Sequence, residues 1–131
     1  MFNPDNKTKK LNEVKLTDYI DLIENNPCHI ATVKKGDLPN LSVALAIKIL
    51  DDETILIVNK QMINTPDNII LNKDVVLTSF NDKWEGLRLS GTAKYYTDGE
   101  YFNLANKYFG GGRSTPKGAI VIKINRVEAL A

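Results

Sequence analysis

Between Asn59 and Asn68 the chain turns polar through Asn59, Lys60 and Gln61 and then presents Asn64, Thr65 and Asn68, Thr and Asn side chains suited to holding an anion. Thr65-Pro66-Asp67 reads as a helix start, because Thr is a good N-cap, Pro fits the first helical position and Asp suits the first turn. Just upstream, Ile55 to Val58 is a run of apolar β-formers, which predicts a strand buried on both faces. A strand that runs into a newly started helix presents free backbone N–H groups beside hydroxyl and amide side chains, and that combination holds phosphate. The same residues also make an ordinary β–turn–α connection in which Thr65 caps its helix for about 1 kcal/mol. The local pattern leaves both readings open. Other chemistry finds less support. His29 and Cys28 are the sole residues of their kinds, with no further Cys or His at ligand spacing, so no metal site is assigned. No carboxylate pair or nucleophile triad stands out.

The elements that must position these residues follow from periodicity. Leu16 to Asn25 predicts an amphipathic helix, with Leu16, Tyr19, Ile20 and Ile23 on one side and Thr17 able to cap it. Cys28 to Lys34 reads as a strand, closed by a turn over Lys35 to Asn40. Leu41 to Leu50 predicts one long strand whose alternation is informative. Leu41, Val43, Leu45, Ile47 and Ile49 make a large apolar face, while Ser42, Ala44, Ala46 and Lys48 make a small one that a flat ring or another subunit could approach. Asp51 to Glu53 turns the chain into Ile55 to Val58.

After the short helix, Val75 to Phe80 is another strand, followed by a polar loop that carries Trp84. That ring is a candidate for ligand or partner contact, or else folds back onto its own domain. Gly86 to Tyr96 alternates cleanly, and Gly91 in its middle predicts a bend or a close backbone approach. Asp98 caps a helix over Gly99 to Phe109, which Gly110 to Gly112 ends. Gly118 to Ile124 is the last long strand, with a further short one over Val127 to Ala131. About six strands in sequential antiparallel order, with two or three helices, make a closed or partly open barrel.

Composition narrows the partners. A chain of 131 residues fits one domain with a substantial core. Its 17 basic and 16 acidic residues, for a net charge of +1, argue against a nucleic-acid surface. The sole basic cluster, Lys7, Lys9 and Lys10, falls within residues 1–12, which read as a solvated, mobile tail. No apolar run approaches the roughly 18 residues of a membrane helix. The opening MFNPDNKTKK has no secretory signal, and a lone Cys28 forms no internal disulfide, so a cytoplasmic protein is expected.

Four segments then take on meaning together: LTDYIDLIENN, ATVKKGDLPNLSVA, MINTPDNI and LRLSGTAKYYTDGEYF. Their order and spacing, from Leu16 to Glu128, resemble the FMN-binding split-barrel family that includes pyridoxamine phosphate oxidase, and within it the short bacterial FMN-binding proteins. The resemblance implies a mainly β fold, a six-stranded antiparallel split β-barrel with two to three helices. It also implies FMN as cofactor, held at the interface of a homodimer, with Trp84 reaching across. Ser42, Val43, Ala44, Val58 and Asn59 are expected along the isoalloxazine and ribityl chain, and Asn64, Thr65 and Asn68 around the phosphate. Family members usually place Lys or Arg just before the Thr, where this chain has Asn64, which leaves Lys48 or Lys60 to supply the charge. Full pyridoxamine phosphate oxidases also carry a C-terminal substrate-binding extension. This chain ends at Ala131, so that specific activity is not expected. The function implied is an FMN-dependent oxidoreductase acting on a small molecule. Its alternatives are a non-catalytic flavin carrier or electron-transfer protein, and a split barrel for another ligand such as deazaflavin, haem or single-stranded nucleic acid.

Overall fold

A computed structural model of the chain describes residues 8–10, 15–33, 38–62, 64–111 and 115–130. Eight strands and three helices follow in the order β1 (Thr8–Lys10), α1 (Ile20–Glu24), β2 (Cys28–Thr32), β3 (Asn40–Ala44), β4 (Ile47–Asp51), β5 (Thr54–Asn59), α2 (Asn64–Leu71), β6 (Asp74–Phe80), β7 (Gly86–Tyr96), α3 (Gly99–Phe109) and β8 (Gly118–Leu130), with a 3₁₀ turn over Leu16–Tyr19 before α1. The sheet runs β3-β2-β6-β7-β8-β5-β4, with β1 paired to β8 beside this path. Every pairing is antiparallel.

The curvature follows from one feature of this order. β3 and β4 are separated in sequence by Leu45 and Ala46 alone, yet they stand at opposite ends of the sheet. The sheet must curl until its ends meet, which makes a split β-barrel. The sequence predicts a single strand across this stretch. Two strands form instead, and with β1 they account for the count exceeding six.

The break also inverts the faces. Ile47 and Ile49 are buried as expected, but Leu41, Val43 and Leu45 are exposed, at 68%, 52% and 74%. On β3 the inward residues are Ser42 and Ala44, which pair with the inward Ile30 and Cys28 of β2. The alternation therefore changes phase at Leu45-Ala46.

Two apolar clusters hold the barrel. Inside lie Ile30, Ile55, Ile57, Leu77, Leu89, Ile120 and Ile122, closed at one end by Leu16 and Ile23. Outside, Leu56, Val58, Ala119 and Val121 are covered by Ala105, Leu104 and Tyr101 of α3. The run Ile55 to Val58 is thus buried on both faces, as its unbroken apolar sequence predicts, and each such side chain contributes roughly 1.5–3 kcal/mol. By contrast, the outer face of β3, β2 and β6 leaves Leu41, Val43, Val76 and Phe80 exposed.

Smaller corrections concern the helices. The first helical stretch is a 3₁₀ turn followed by one short α-helix, and Thr17 does not cap it. Its hydroxyl donates to Asp52 Oδ1 at 2.6 Å, tying the segment to the β4–β5 hairpin. Asp98 stands at the N-cap of α3 without a side-chain capping bond. Thr8 to Lys10, expected within a tail, pair with β8 at Glu128 to Arg126. The rest of the expected tail, and residues 34–37, which hold the end of the expected first strand and the start of the expected turn over Lys35 to Asn40, lie outside the described residues. Among the described residues no helix is long and apolar enough to cross a membrane.

Gly91 does what its mid-strand position suggests. A register shift between Ser90 and Gly91 bends β7 against β8, and a Cβ on Gly91 would run into the backbone carbonyl of Lys123. Gly91→Ala should therefore destabilise the fold by about 1–3 kcal/mol, read as a lower urea midpoint with an unchanged slope. Cys28 gives a second check. Burial disfavours its thiolate and pushes the thiol up to about 12, so a thiol reagent at neutral pH should label no cysteine in the folded protein and one after unfolding.

Candidate functional site

Where β3 and the end of β5 part, a cleft of about 560 Å³ opens. One wall is the free edge of β3, contributed by Ser42, Val43 and Ala44 and continued by Leu45 and Ala46, with Asn40 at its end. Facing it are Val58, Lys60, Gln61, Met62 and Asn64, from the end of β5 to the start of α2. Because β3 is a terminal strand of the sheet, only its β2 side is paired. The opposite row of backbone N–H and C=O groups turns toward the cleft and needs partners there. Small residues at positions 42, 44 and 46 allow a planar molecule to reach that edge.

Buried amides and hydroxyls hold both rims. Asn59 is buried, and its Oδ1 accepts the Met62 N–H at 2.7 Å. Its Nδ2 donates to the Met62 carbonyl at 3.3 Å and to the Tyr95 hydroxyl at 2.8 Å. The Asn59 carbonyl in turn accepts the Lys117 N–H at 2.7 Å. A single side chain thereby closes the Lys60-Gln61 turn and anchors it to the barrel. Thr65 is fully buried, and its hydroxyl does not turn back to cap α2. Asn40 Nδ2 donates to Thr65 Oγ1 at 3.0 Å, and Ser42 Oγ lies 2.7 Å from the same atom. These bonds stitch the start of α2 to β3. Asn68 is also buried, donating from Nδ2 to Thr32 Oγ1 at 3.1 Å.

The residues singled out by sequence therefore divide. Ser42, Val43, Ala44, Val58, Lys60 and Asn64 line one cleft. Asn59, Thr65 and Asn68 stand behind it, with polar atoms bonded within the protein. Trp84 sits at the tip of the β6–β7 hairpin, 71% exposed and at φ +64°, and does not line the cleft. Ala46 also lines the cleft, on the small face that the sequence offers to a flat ring, and sequence reasoning missed Asn40, Leu45, Gln61 and Met62. Leu45 was hidden inside an alternation that continues across the break, and Asn40 inside a turn.

Charge at the cleft comes from Lys60, the one lysine or arginine among its described lining residues. Lys48 is held elsewhere: its ammonium lies 3.5 Å from Glu24 and 5.2 Å over the Tyr108 ring. A second cleft, of about 470 Å³, is lined by Asp18, Asp21 and Glu85 and so repels anions. What the first cleft can do chemically is specific: it can stack a planar ring, pair the ring's polar edge with backbone groups, and receive an anion near Lys60, Ser42 and the first turn of α2.

Comparison with known proteins agrees with this fold. The sequence profile of a family described as pyridoxamine 5'-phosphate oxidase matches residues 16–131. An uncharacterised protein of Methanocaldococcus jannaschii is 40% identical over 122 residues, spanning 89% of this chain and 82% of that protein. Among solved structures, HupZ of Group A Streptococcus superposes with a TM-score of 0.80 at 28% identity, over 86% of this chain and 97% of its own. An FMN-binding protein of Syntrophomonas wolfei superposes with a TM-score of 0.77 at 21% identity, over 88% and 86%, a likeness of fold.

The hydroxyl stitch is open to a direct check. Thr65→Val would leave Asn40 and Ser42 without their shared partner, at a cost of about 1–3 kcal/mol in chemical denaturation. Thr65→Ser, which keeps the hydroxyl, should recover most of that loss.

Proposed function

The chain belongs to the pyridoxamine 5'-phosphate oxidase family, and we propose that it is an FMN-binding flavoprotein whose cofactor lies between β3 and the end of β5. One observation carries this reading: an unpaired strand edge with small side chains leads to Lys60, Asn64 and a helix start in one continuous cleft. A flavin asks three things of a site, namely a flat wall, polar partners for its pyrimidine edge, and donors for its phosphate. Val43, Ala44, Ala46 and Val58 suit the first, and the backbone edge of β3 suits the second. Ser42, Lys60, Asn64 and the first-turn N–H groups of α2 suit the third. The Syntrophomonas wolfei protein, which shares this fold, is an FMN-binding protein. When bound, a flavin supplies the hydride or electron transfer itself, and the chain's residues hold it, orient it and limit water. We read the protein as a cytoplasmic oxidoreductase acting on a small molecule. A flavin carrier without turnover would use the same binding residues.

The reading includes a homodimer with the flavin at the subunit interface. Leu41, Val43, Val76 and Phe80 form an exposed apolar face, and Val43 joins that face to the cleft. A second copy packed there would cover the face and close the open side of the site. Trp84, exposed and outside the lining of its own cleft, is then free to meet the partner.

The test is an absorption spectrum of purified protein after adding FMN and removing the excess, with light scattering on the same sample. Retained flavin bands and a mass twice 14.6 kDa are expected. A protein that takes up no FMN overturns the cofactor reading, and a monomer at micromolar concentration overturns the dimer. Reduction of the bound flavin by NADH or NADPH, followed by reoxidation with an acceptor, separates an enzyme from a carrier.

A further inference from the structure

We propose that His29, the sole histidine of the chain, makes the pairing of two copies pH-dependent, so that mild acid separates them and uncovers the cleft. The inference rests on the homodimer reading above and adds the regulation of that assembly.

The strand register places the imidazole. On the outer face of β2, His29 stands between Val43 of β3 and Thr78 of β6. Leu41 on β3, and Val76 and Phe80 on β6, are its diagonal neighbours, at roughly 7–8 Å. All four apolar side chains are exposed, and so is His29. The apolar face is therefore centred on a histidine. Imidazole is the one side chain whose ordinary titration falls between about pH 5 and 8.

Other charge on this face is sparse and distant. Among the described residues β3 has no ionisable side chain. β6 presents Asp74, four residues before Thr78 and so about 13 Å along the strand. Arg88 of β7 stands beyond Thr78, two strands from His29 and roughly 9–10 Å away. Its guanidinium donates to both carboxylate oxygens of Glu128 on β8, at 3.1 and 2.6 Å. Arg126 of β8 lies across from Ser90, one strand further out. A face whose centre is uncharged can lie against a copy of itself, as a two-fold contact requires. Once His29 is an imidazolium, the same contact strips its water and offers no carboxylate in exchange. Two copies bring two such cations into one apolar interface. Burial disfavours the charged form, so the dimer binds fewer protons than two separate subunits, and acid drives it apart.

The experiment measures the dimer dissociation constant of the full chain by sedimentation velocity at about pH 8 and about pH 5.5, with circular dichroism reporting the fold at each. Wild type should dissociate at least about tenfold more readily in acid, since each histidine can contribute up to about tenfold per pH unit. His29→Gln, neutral throughout, should lose that dependence. His29→Lys, charged throughout, should be monomeric already at the higher pH. A wild-type constant that does not move with pH, or a dependence that persists in His29→Gln, overturns the proposal and leaves the dimer standing. His29→Lys pairing as tightly as wild type at the higher pH overturns it too, whatever acid does to the fold. A wild type that is monomeric at the higher pH removes the dimer reading, and this inference with it.

Discussion

A β-strand at the end of a sheet leaves one row of backbone donors and acceptors without partners, and an exposed edge of that kind recruits other strands. In this protein that edge borders the cleft. β3 and β4 are consecutive, and the two-residue link between them is too short for a helix or a loop that could cover either edge. The sheet curls so that its ends approach, yet β3 does not pair with β5, and the gap becomes the cleft. Two hydrogen-bond networks hold the rims of that gap. Asn59 pins one rim to the barrel through Met62 and Tyr95. Thr65 pins the other through Asn40 and Ser42.

Buried amides and hydroxyls are costly unless bonded, so these residues work as struts. That explains why polar residues so close to a proposed ligand site point away from it. Their bonds position Lys60, Ser42 and Asn64, which face the cleft. The division between struts and lining is a physical one, set by burial and partner geometry, and residue type alone does not reveal it.

Much of the fold was legible in the sequence because the signals were strong and local. The unbroken run Ile55 to Val58 announced a strand covered on both sides, and the covering helix proved to be α3. Gly91 marked a close approach of backbones, and the register shift with Lys123 is that approach. Four other features were not legible. The phase change at Leu45-Ala46 lies inside a sequence whose alternation never falters, so period-two reasoning carries the apolar face straight through it. The roles of Asn59, Thr65 and Asn68 depend on partners far along the chain, at Tyr95, Asn40 and Thr32. Lys48 and Lys60 looked equivalent until tertiary structure gave one of them Glu24 as a partner. Asn40 belongs to the site through a hydrogen bond that no local pattern encodes.

β8 has a consequence for how the barrel comes into being. It pairs with β7 along its whole length, with β5 over its first half and with β1 over its second. Strands from the start, middle and latter part of the chain therefore share one late-arriving template. Until it docks, β5 and β7 both present unpaired apolar edges, and the contacts that would satisfy them are distant in sequence. Such non-local pairing slows folding and keeps sticky edges exposed while it waits. The strand that completes the barrel thus also sets the period during which the chain is most exposed to self-association.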